Sequence, residues 1–348
     1  MTGIALEGGG AKGSYQVGVM LALIDNGIKP DMVAGTSIGA VNAALLCQGD
    51  RKKMINLWTE TTTDLFGIDS LLVDKIKTKE FKFNDFFSVY ENLKQILTNK
   101  GIDTDHILDV INDNIDEEKV RNSKIKFGLV TLKLKGLEPL ELTIDDIPEG
   151  KLSEYILASC YLPVFSFKKI IDDNFYLDGG FYNNLPITLL EKEGCNKIYS
   201  VRVKGVGRIK KQSNIDTEII EIKPRKGLGS MLIFDKDSNT KHMRIGYLDA
   251  LRVIKNLDGT KYYFKNKKES YYTRIISKQN KETLNKLRLR FKHKDDKELV
   301  IKIIEHLMKK YDFEELKIYN VKKVIKRLKK LVTNKLYKDF IYNARLFL

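Results

Sequence analysis

The chain has 348 residues, of which 43% are hydrophobic and 31% charged, and its formal net charge is +15. A chain of this length and composition can bury a sizeable core as one large domain or two smaller ones. No apolar run approaches the ~20 residues of a membrane-spanning helix, and we expect no secretory signal at the first residues. The odd set Cys47, Cys160 and Cys195 is typical of buried, reduced thiols in a cytoplasmic protein.

The first part of the chain alternates strand patterns with helix patterns. Strand patterns occur over residues 4–6, 31–34, 124–135, 198–203 and 218–222. Helix patterns occur over about residues 15–25 and over 38–46. This alternation predicts an α/β fold with a mainly parallel sheet covered by helices on both faces.

Residues 51–121 are mainly helical in pattern and rich in aromatic side chains. Apolar residues recur there at helical spacing, namely Phe86, Tyr90, Leu93, Ile96 and Leu97. We interpret this stretch as packing against the sheet, or as a lid over a site, rather than as a separate domain.

The positive charge is concentrated in the last quarter of the chain. Residues 261–348 contain 26 Lys and Arg against 10 Asp and Glu, whereas residues 1–260 are close to neutral. Apolar residues between 321 and 332 recur at helical spacing with basic residues between them, which predicts a basic amphipathic helix. Its apolar stripe either packs on the protein or lies on an anionic membrane surface. Charge alone sets the boundary of this mainly helical region near residue 260.

The sequence Gly-Thr-Ser-Ile-Gly at residues 35–39 stands between a predicted strand and a helix of small residues. Gly-x-Ser-x-Gly is the spacing that exposes a serine hydroxyl on a sharp strand-to-helix turn. Gly35 and Gly39 let the turn form and leave room for neighbouring backbone. Ser37 is therefore the candidate nucleophile.

A glycine-rich loop, Gly-Gly-Gly-Ala-Lys-Gly at residues 8–13, follows the first predicted strand. It satisfies the dinucleotide-binding pattern, but the second strand does not end in the acidic residue that would hold a ribose. The order Lys12-Gly13-Ser14 also excludes a phosphate-binding P-loop of the Walker type. Backbone N–H groups at a helix start can hold negative charge, such as the oxyanion of an acyl-transfer intermediate.

A serine nucleophile needs a base within hydrogen-bond reach. None of the histidines, His106, His242, His293 and His306, stands in a motif. Asp178 follows a short apolar run and precedes Gly179 and Gly180, so it is the candidate base if desolvation raises its pKa. Asp-Gly-Gly is also an ordinary turn sequence, and spacing alone does not decide between the two.

The three motifs, in this order and spacing, resemble those of the patatin-like phospholipase family. The stretch Ala158-Ser159-Cys160-Tyr161-Leu162-Pro163-Val164-Phe165 is similar to another segment of the family, as is Asn184-Leu185-Pro186. The helix around Gly246-Tyr247 resembles one in bacterial members. The resemblance covers residues 1–205, continues weakly to about 260, and does not extend to 261–348.

The resemblance implies a Ser37–Asp178 dyad on a three-layer α/β/α fold that hydrolyses acyl esters of lipids. The oxyanion hole would be formed by the loop that contains Gly8, Gly9, Gly10, Lys12 and Gly13, with the amides of Gly9 and Gly10 as donors. Glu7 stands where many members have Asp, and Lys12 stands where plant members have Arg. Lysine lacks the planar forked contacts of arginine, which puts a phosphate-orienting role for Lys12 in question.

Two other functions fit the same sequence. A transacylase would use the same dyad and pass the acyl group to an alcohol, and a non-catalytic protein would keep the fold to bind a dinucleotide or a membrane. The expected partners are a lipid or phospholipid substrate and an anionic membrane surface contacted by the basic C-terminal region. Nucleic acid is not expected, because no reader motif accompanies the charge. No metal or cofactor is implied, and we expect a cytoplasmic protein that acts at the inner membrane surface.

Overall fold

A computed structural model describes residues 1–63, 103–163, 165–166 and 168–345. These residues form two compact units, Met1–Asp249 and Ala250–Leu348. The charge-based boundary near residue 260 lies within the second unit. The apolar positions predicted between residues 86 and 97 lie outside the described residues. Each helix in the described ranges is too short or too polar to span a bilayer.

The described part of the first unit contains a seven-stranded mixed sheet. Its strands are β1 (Thr2–Leu6), β2 (Met32–Thr36), β3 (Lys126–Lys133), β4 (Glu138–Thr143), β5 (Tyr176–Asp178), β6 (Lys197–Val201) and β7 (Glu218–Ile222). The order is β4-β3-β2-β1-β6-β7, and β5 also pairs with β3. Pairs between β3, β2, β1, β6 and β7 are parallel, whereas β4 and β5 run antiparallel to β3. The predicted mainly parallel sheet is confirmed.

Eight helices are described in or beginning in this unit. They are α1 (Gly13–Asp25), α2 (Ile38–Cys47), α3 (Arg51–Glu60), α4 (Asp105–Asn114), α5 (Glu117–Arg121), α6 (Leu152–Ser159), α7 (Ile187–Lys192) and α8 (Lys236–Ile254). Helix α7 packs on the side of the sheet where Ala5, Met32 and Ala34 point. Because side chains alternate along a strand, Ile4 and Val33 point to the opposite side. Helix α2 packs against β2 and β3.

The ends of β2 and β5 meet on one edge of β3. Thr36, the last residue of β2, is in register with Val130, and Asp178, the last residue of β5, is in register with Thr131. Since β2 runs parallel and β5 antiparallel to β3, their carboxyl ends approach each other from opposite directions. Residues that are far apart in the sequence are thereby brought to neighbouring positions at one point of the sheet.

The second unit has its own core. Its helices are α9 (Glu269–Ser277), α10 (Lys281–Phe291), α11 (Asp296–Lys310), α12 (Val321–Leu331) and α13 (Lys335–Arg345), with a short parallel pair, β8 (Tyr263–Phe264) and β9 (Ile318–Tyr319). The predicted amphipathic helix is α12. Its apolar residues Val321, Val324, Ile325 and Leu328 are buried in the core of this unit, so this part of the stripe is not exposed to solvent. The neighbouring residues Lys322, Lys323, Lys326 and Arg327 are exposed.

Candidate active site

Ser37 occupies a sharp turn between β2 and α2. Its φ of 56° and ψ of −130° are a strained combination for a residue with a side chain. The flanking glycines are required by close backbone contacts. A Cβ on Gly35 would lie 2.0 Å from the Gly39 carbonyl oxygen, and one on Gly39 would lie 2.4 Å from the Leu6 carbonyl oxygen.

Asp178 lies beside this turn, because β2 and β5 end at adjacent positions of β3. Its side chain is buried, and its carboxylate accepts a hydrogen bond at 2.7 Å from the Gly180 N–H. Burial raises the pKa of Asp178 to about 6, against the opposing effects of the nearby Ser37 side chain and the Gly180 N–H. Gly179 admits the tight turn after the strand, since a Cβ there would lie 2.1 Å from the Val130 carbonyl oxygen.

The glycine-rich loop after β1 lies directly against Ser37. A Cβ added to Gly8 would lie 3.2 Å from the Ser37 Cβ and 2.3 Å from the Asn184 Oδ1. The Gly8 N–H donates to the Asn184 carbonyl at 3.0 Å, and the Asn184 Nδ2 donates to the Gly8 carbonyl at 3.1 Å. Asn184 therefore holds the start of the loop by two hydrogen bonds, and Gly8 has already used its own N–H.

Two N–H groups of the loop remain available. The N–H of Ala11 donates to the Met231 carbonyl, and the N–H of Lys12 donates to the Gly9 carbonyl. The N–H of Gly13 donates to the Gly10 carbonyl. Among the described residues, the N–H groups of Gly9 and Gly10 have no acceptor.

Lys12 and Glu7 fix the backbone that lies beside the loop. The Lys12 Nζ donates to the Lys204 carbonyl at 2.9 Å, so the ammonium is engaged by the protein itself. The buried Glu7 carboxylate accepts the N–H groups of Val203 and Lys204 at 2.5 and 2.9 Å and lies 3.1 Å from the Arg202 Nε. Burial raises the pKa of Glu7 and lowers that of Lys12. A Cβ on Gly9 would lie 2.6 Å from the Val203 Cγ2. Val203, whose N–H is held by Glu7, therefore limits the space behind the glycine-rich loop.

Three residues at the site have contacts that sequence reasoning did not assign. Ser159 accepts a hydrogen bond from the Ser37 N–H at 2.9 Å. Burial and the charge of Asp178 raise the pKa of the Cys160 thiol, whereas the nearby Ser37 side chain lowers it. Asn184 holds Gly8. All three lie in segments whose resemblance to the family was visible, but their roles depend on partners more than 100 residues away.

No histidine is among the contacts described for Ser37. His242 Nδ1 lies 3.5 Å from the Ser14 Oγ, and burial lowers its pKa. His293 and His306 belong to the second unit. Within the described ranges, no group of three or more His, Cys, Asp or Glu side chains is arranged to hold a metal ion.

The chain is similar to several proteins that are named as patatin-like phospholipase domain-containing proteins or as lysophospholipases. It is 26% identical over 208 residues to patatin-like phospholipase domain-containing protein 7 of Rattus norvegicus, a match that covers 58% of this chain and 13% of the rat protein. It is 26% identical over 207 residues to lysophospholipase NTE1 of Candida glabrata, covering 59% of this chain and 10% of that protein. The chain thus spans about an eighth of the length of such relatives.

The solved structure of VipD from Legionella pneumophila aligns over 99% of this chain and 90% of its own, with a TM-score of 0.43 and 14% identity. The family model described as patatin-like phospholipase matches residues 4–190, just over half of the chain. This chain belongs to the patatin-like phospholipase family.

Proposed function

We propose that this protein is a serine lipid acyl hydrolase of the phospholipase A or lysophospholipase type, with Ser37 as nucleophile and Asp178 as general base. One observation carries the proposal: Ser37, on a strained turn, lies beside the buried Asp178 carboxylate, and its side chain lowers the pKa of that carboxyl against the effect of burial. A nucleophile beside its base is the arrangement that serine acyl transfer requires. The lipid class is supported by the family and by the names of relatives such as the lysophospholipase of Candida glabrata.

The chemistry proceeds in two steps. In the first, Asp178 takes the Ser37 proton as the Ser37 Oγ attacks the ester carbonyl, and the leaving alcohol departs with a proton returned by Asp178. In the second, Asp178 takes a proton from water as the water oxygen attacks the acyl-enzyme carbonyl. The bond between the acyl group and the Ser37 Oγ then breaks, Asp178 returns the proton to that Oγ, and the fatty acid is released. A base with a pKa of about 6 is ionised at pH 7–8 and can still return the proton.

The oxyanion of each tetrahedral intermediate would be held by the N–H groups of Gly9 and Gly10. These two groups lack acceptors among the described residues and belong to a loop that lies against Ser37. Fixed N–H donors of this kind stabilise developing negative charge without reorganisation. Gly8, Lys12 and Gly13 would not bind the oxyanion themselves. Gly8 and Lys12 would hold the loop in place, and Gly13 would be the first residue of α1, the helix that follows the loop.

The function is tested by fatty acid release from lysophosphatidylcholine and from phosphatidylcholine vesicles. We expect the Ser37→Ala and Asp178→Ala variants each to lose at least about 10³-fold in kcat, because groups that act as a unit fail together. Full activity of either folded variant would exclude the dyad. Release of an acyl ester of an added alcohol, in place of free fatty acid, would identify a transacylase instead.

We further propose that the basic C-terminal region brings this cytoplasmic enzyme to anionic membrane surfaces. The apolar stripe of α12 is buried, so the attraction would be electrostatic and would come from its exposed basic face. Each Lys or Arg near an anionic surface contributes about 1 kcal/mol. Removing three exposed charges should therefore weaken vesicle binding about 10²-fold at low salt.

Vesicle co-sedimentation tests this contact with matched triple Lys→Gln variants. The test variant changes Lys322, Lys323 and Lys326. The control changes three exposed lysines of the first unit, namely Lys29, Lys52 and Lys124. We expect only the test variant to lose binding to phosphatidylserine vesicles, and high salt to abolish binding of the unmodified protein. Equal losses in the two variants, or binding that does not respond to salt, would contradict the proposal.

A further inference from the structure

The segment at residues 158–161, where α6 ends, contacts both halves of the proposed dyad. The Ser159 Oγ accepts the Ser37 N–H at 2.9 Å, and the Tyr161 carbonyl accepts the Asp178 N–H at 2.8 Å. The Ala158 carbonyl accepts the Thr131 hydroxyl at 2.9 Å. Three residues of this four-residue segment thus contact the nucleophile, the base and strand β3.

Within this segment, the orientation of the Ser159 hydroxyl is fixed. Its single proton is donated to the Val130 carbonyl at 2.7 Å, which leaves an oxygen lone pair directed at the Ser37 N–H. The side chain is fully buried, so water cannot take over either hydrogen bond. The Ser159 hydroxyl therefore links the β3 backbone to the Ser37 amide through two hydrogen bonds.

The amide that Ser159 holds belongs to a residue in a strained backbone conformation. Ser37 has a positive φ, and such conformations persist only when the surroundings determine them fully. Without the Ser159 oxygen, the Ser37 N–H would have no acceptor among the described residues. Loss of that acceptor would free the turn to relax and carry the Ser37 hydroxyl away from Asp178.

We propose that Ser159 is a positioning residue, which holds the Ser37 backbone in its strained conformation and so aims the hydroxyl at Asp178. This inference rests on the proposed Ser37–Asp178 function. The Ser159 hydroxyl donates to the Val130 carbonyl, and Asp178 pairs with Thr131, the next residue of β3. Ser159 and Asp178 are therefore held by adjacent residues of one strand, which fixes the distance between Ser37 and Asp178. Displacement of a nucleophile by about 1 Å is enough to reduce a rate about 10²-fold.

The test compares Ser159→Ala, Ser159→Thr and Ser37→Ala with the unmodified full-length protein. Thr143→Ala serves as the matched control, because the Thr143 hydroxyl is also buried and hydrogen-bonded, at 2.9 Å to the Asp146 Oδ2, but contacts neither Ser37 nor Asp178. The readouts are kcat and KM for lysophosphatidylcholine, the rate of Ser37 modification by a fluorophosphonate, and the thermal midpoint.

We expect Ser159→Ala to lower kcat and the modification rate together by about 10²-fold, with KM unchanged within twofold. Ser159→Thr, which keeps the hydroxyl, should recover at least tenfold of the lost rate. Thr143→Ala should lower the thermal midpoint and leave kcat unchanged. If Ser159→Ala does not fold, a Ser159→Cys variant, whose thiol is a weak acceptor, should show the same loss of kcat.

The inference is overturned if Ser159→Ala keeps the unmodified kcat while Ser37→Ala is inactive, or if the threonine variant recovers nothing. It is also overturned if KM rises while kcat and the modification rate stay unchanged. An active Ser37→Ala variant is a different result, since it removes the proposed function itself rather than the role of Ser159.

Discussion

At the scale of single residues, burial raises the pKa of Asp178, and this makes the carboxylate a stronger base toward the Ser37 hydroxyl. An exposed aspartate, with a pKa near 3.9, has little tendency to take a serine proton. The 2% exposure of Asp178 disfavours its charged form, and its pKa rises to about 6. The Ser37 side chain and the hydrogen bond from the Gly180 N–H favour the charged form and limit the rise.

The pH dependence of hydrolysis follows from that pKa. Because the base must be ionised, kcat/KM should fall about tenfold per pH unit below pH 6 and be flat from pH 7 to 8. Initial rates on a soluble short-chain ester between pH 4.5 and 8.5 measure this. An activity that does not change between pH 5 and 8 would contradict a role for Asp178 as base.

The same pKa predicts the effect of Asp178→Asn on stability. The folded state holds the Asp178 proton more tightly than the unfolded state, so the free energy of unfolding falls as pH rises from about 4 to 6. At pH 8 the buried charge costs about 3 kcal/mol, which asparagine removes. Urea unfolding should find Asp178→Asn more stable than the unmodified protein at pH 8 and similar to it near pH 4. A less stable variant at pH 8 would contradict the burial argument.

At the scale of elements, glycines allow helices α1 and α8 to pack with their backbones in contact. A Cβ on Gly18 would lie 1.9 Å from the Met243 carbonyl oxygen, and one on Gly246 would lie 2.0 Å from the Tyr15 carbonyl oxygen. Helix α1 begins with the last residue of the glycine-rich loop. The close packing of α1 on α8 therefore helps to hold the glycine-rich loop, and with it the proposed oxyanion hole, in position.

The Gly246→Ala variant should lower the free energy of unfolding by about 2–3 kcal/mol, because the new methyl group meets backbone that cannot give way. Gly227→Ala is the matched control, since a Cβ there would meet nothing within 4 Å. Urea unfolding followed by circular dichroism compares the two. Equal stability of both variants would show that the helices have room to separate.

The sequence predicted the local elements well and the long-range contacts poorly. The Gly35–Gly39 turn was predictable because its steric requirement is local. Residues 4–6 and 218–222 were predictable from their local strand patterns. Strand β5 is only three residues long. The ends of β5 and β2 lie close together because both strands pair with β3 in a particular register, and no local sequence pattern encodes that register. The bond between Ser159 and Ser37 follows from that register, and so it could not be predicted.

At the scale of the whole molecule, the two units have different chemistry. The first contains the proposed site, and the second contains the excess of positive charge around a core of its own. The sequence left open whether the apolar stripe of α12 packs on the protein or lies on a membrane. Leu328 is fully buried in the core of the second unit, whereas Leu331, in the same last turn, is 36% exposed.

Leu328 and Leu331 together test whether the apolar stripe of α12 packs in the protein core or contacts a membrane. Leu328→Ala should destabilise the second unit by about 2–5 kcal/mol through a buried cavity, and Leu331→Ala should change its stability by less than about 1 kcal/mol. Urea unfolding of both variants, together with vesicle binding of each folded protein, makes the comparison. If Leu328→Ala weakens vesicle binding without loss of stability, the stripe is a membrane contact instead.

The central claim, that Asp178 activates Ser37 as a nucleophile, is tested most directly by covalent modification with a fluorophosphonate, followed by peptide mass spectrometry. We predict one adduct per chain, on Ser37, no adduct in Ser37→Ala, and a rate at least about 10²-fold lower in Asp178→Asn. An adduct that persists in Ser37→Ala, or an unchanged rate in Asp178→Asn, would contradict the account.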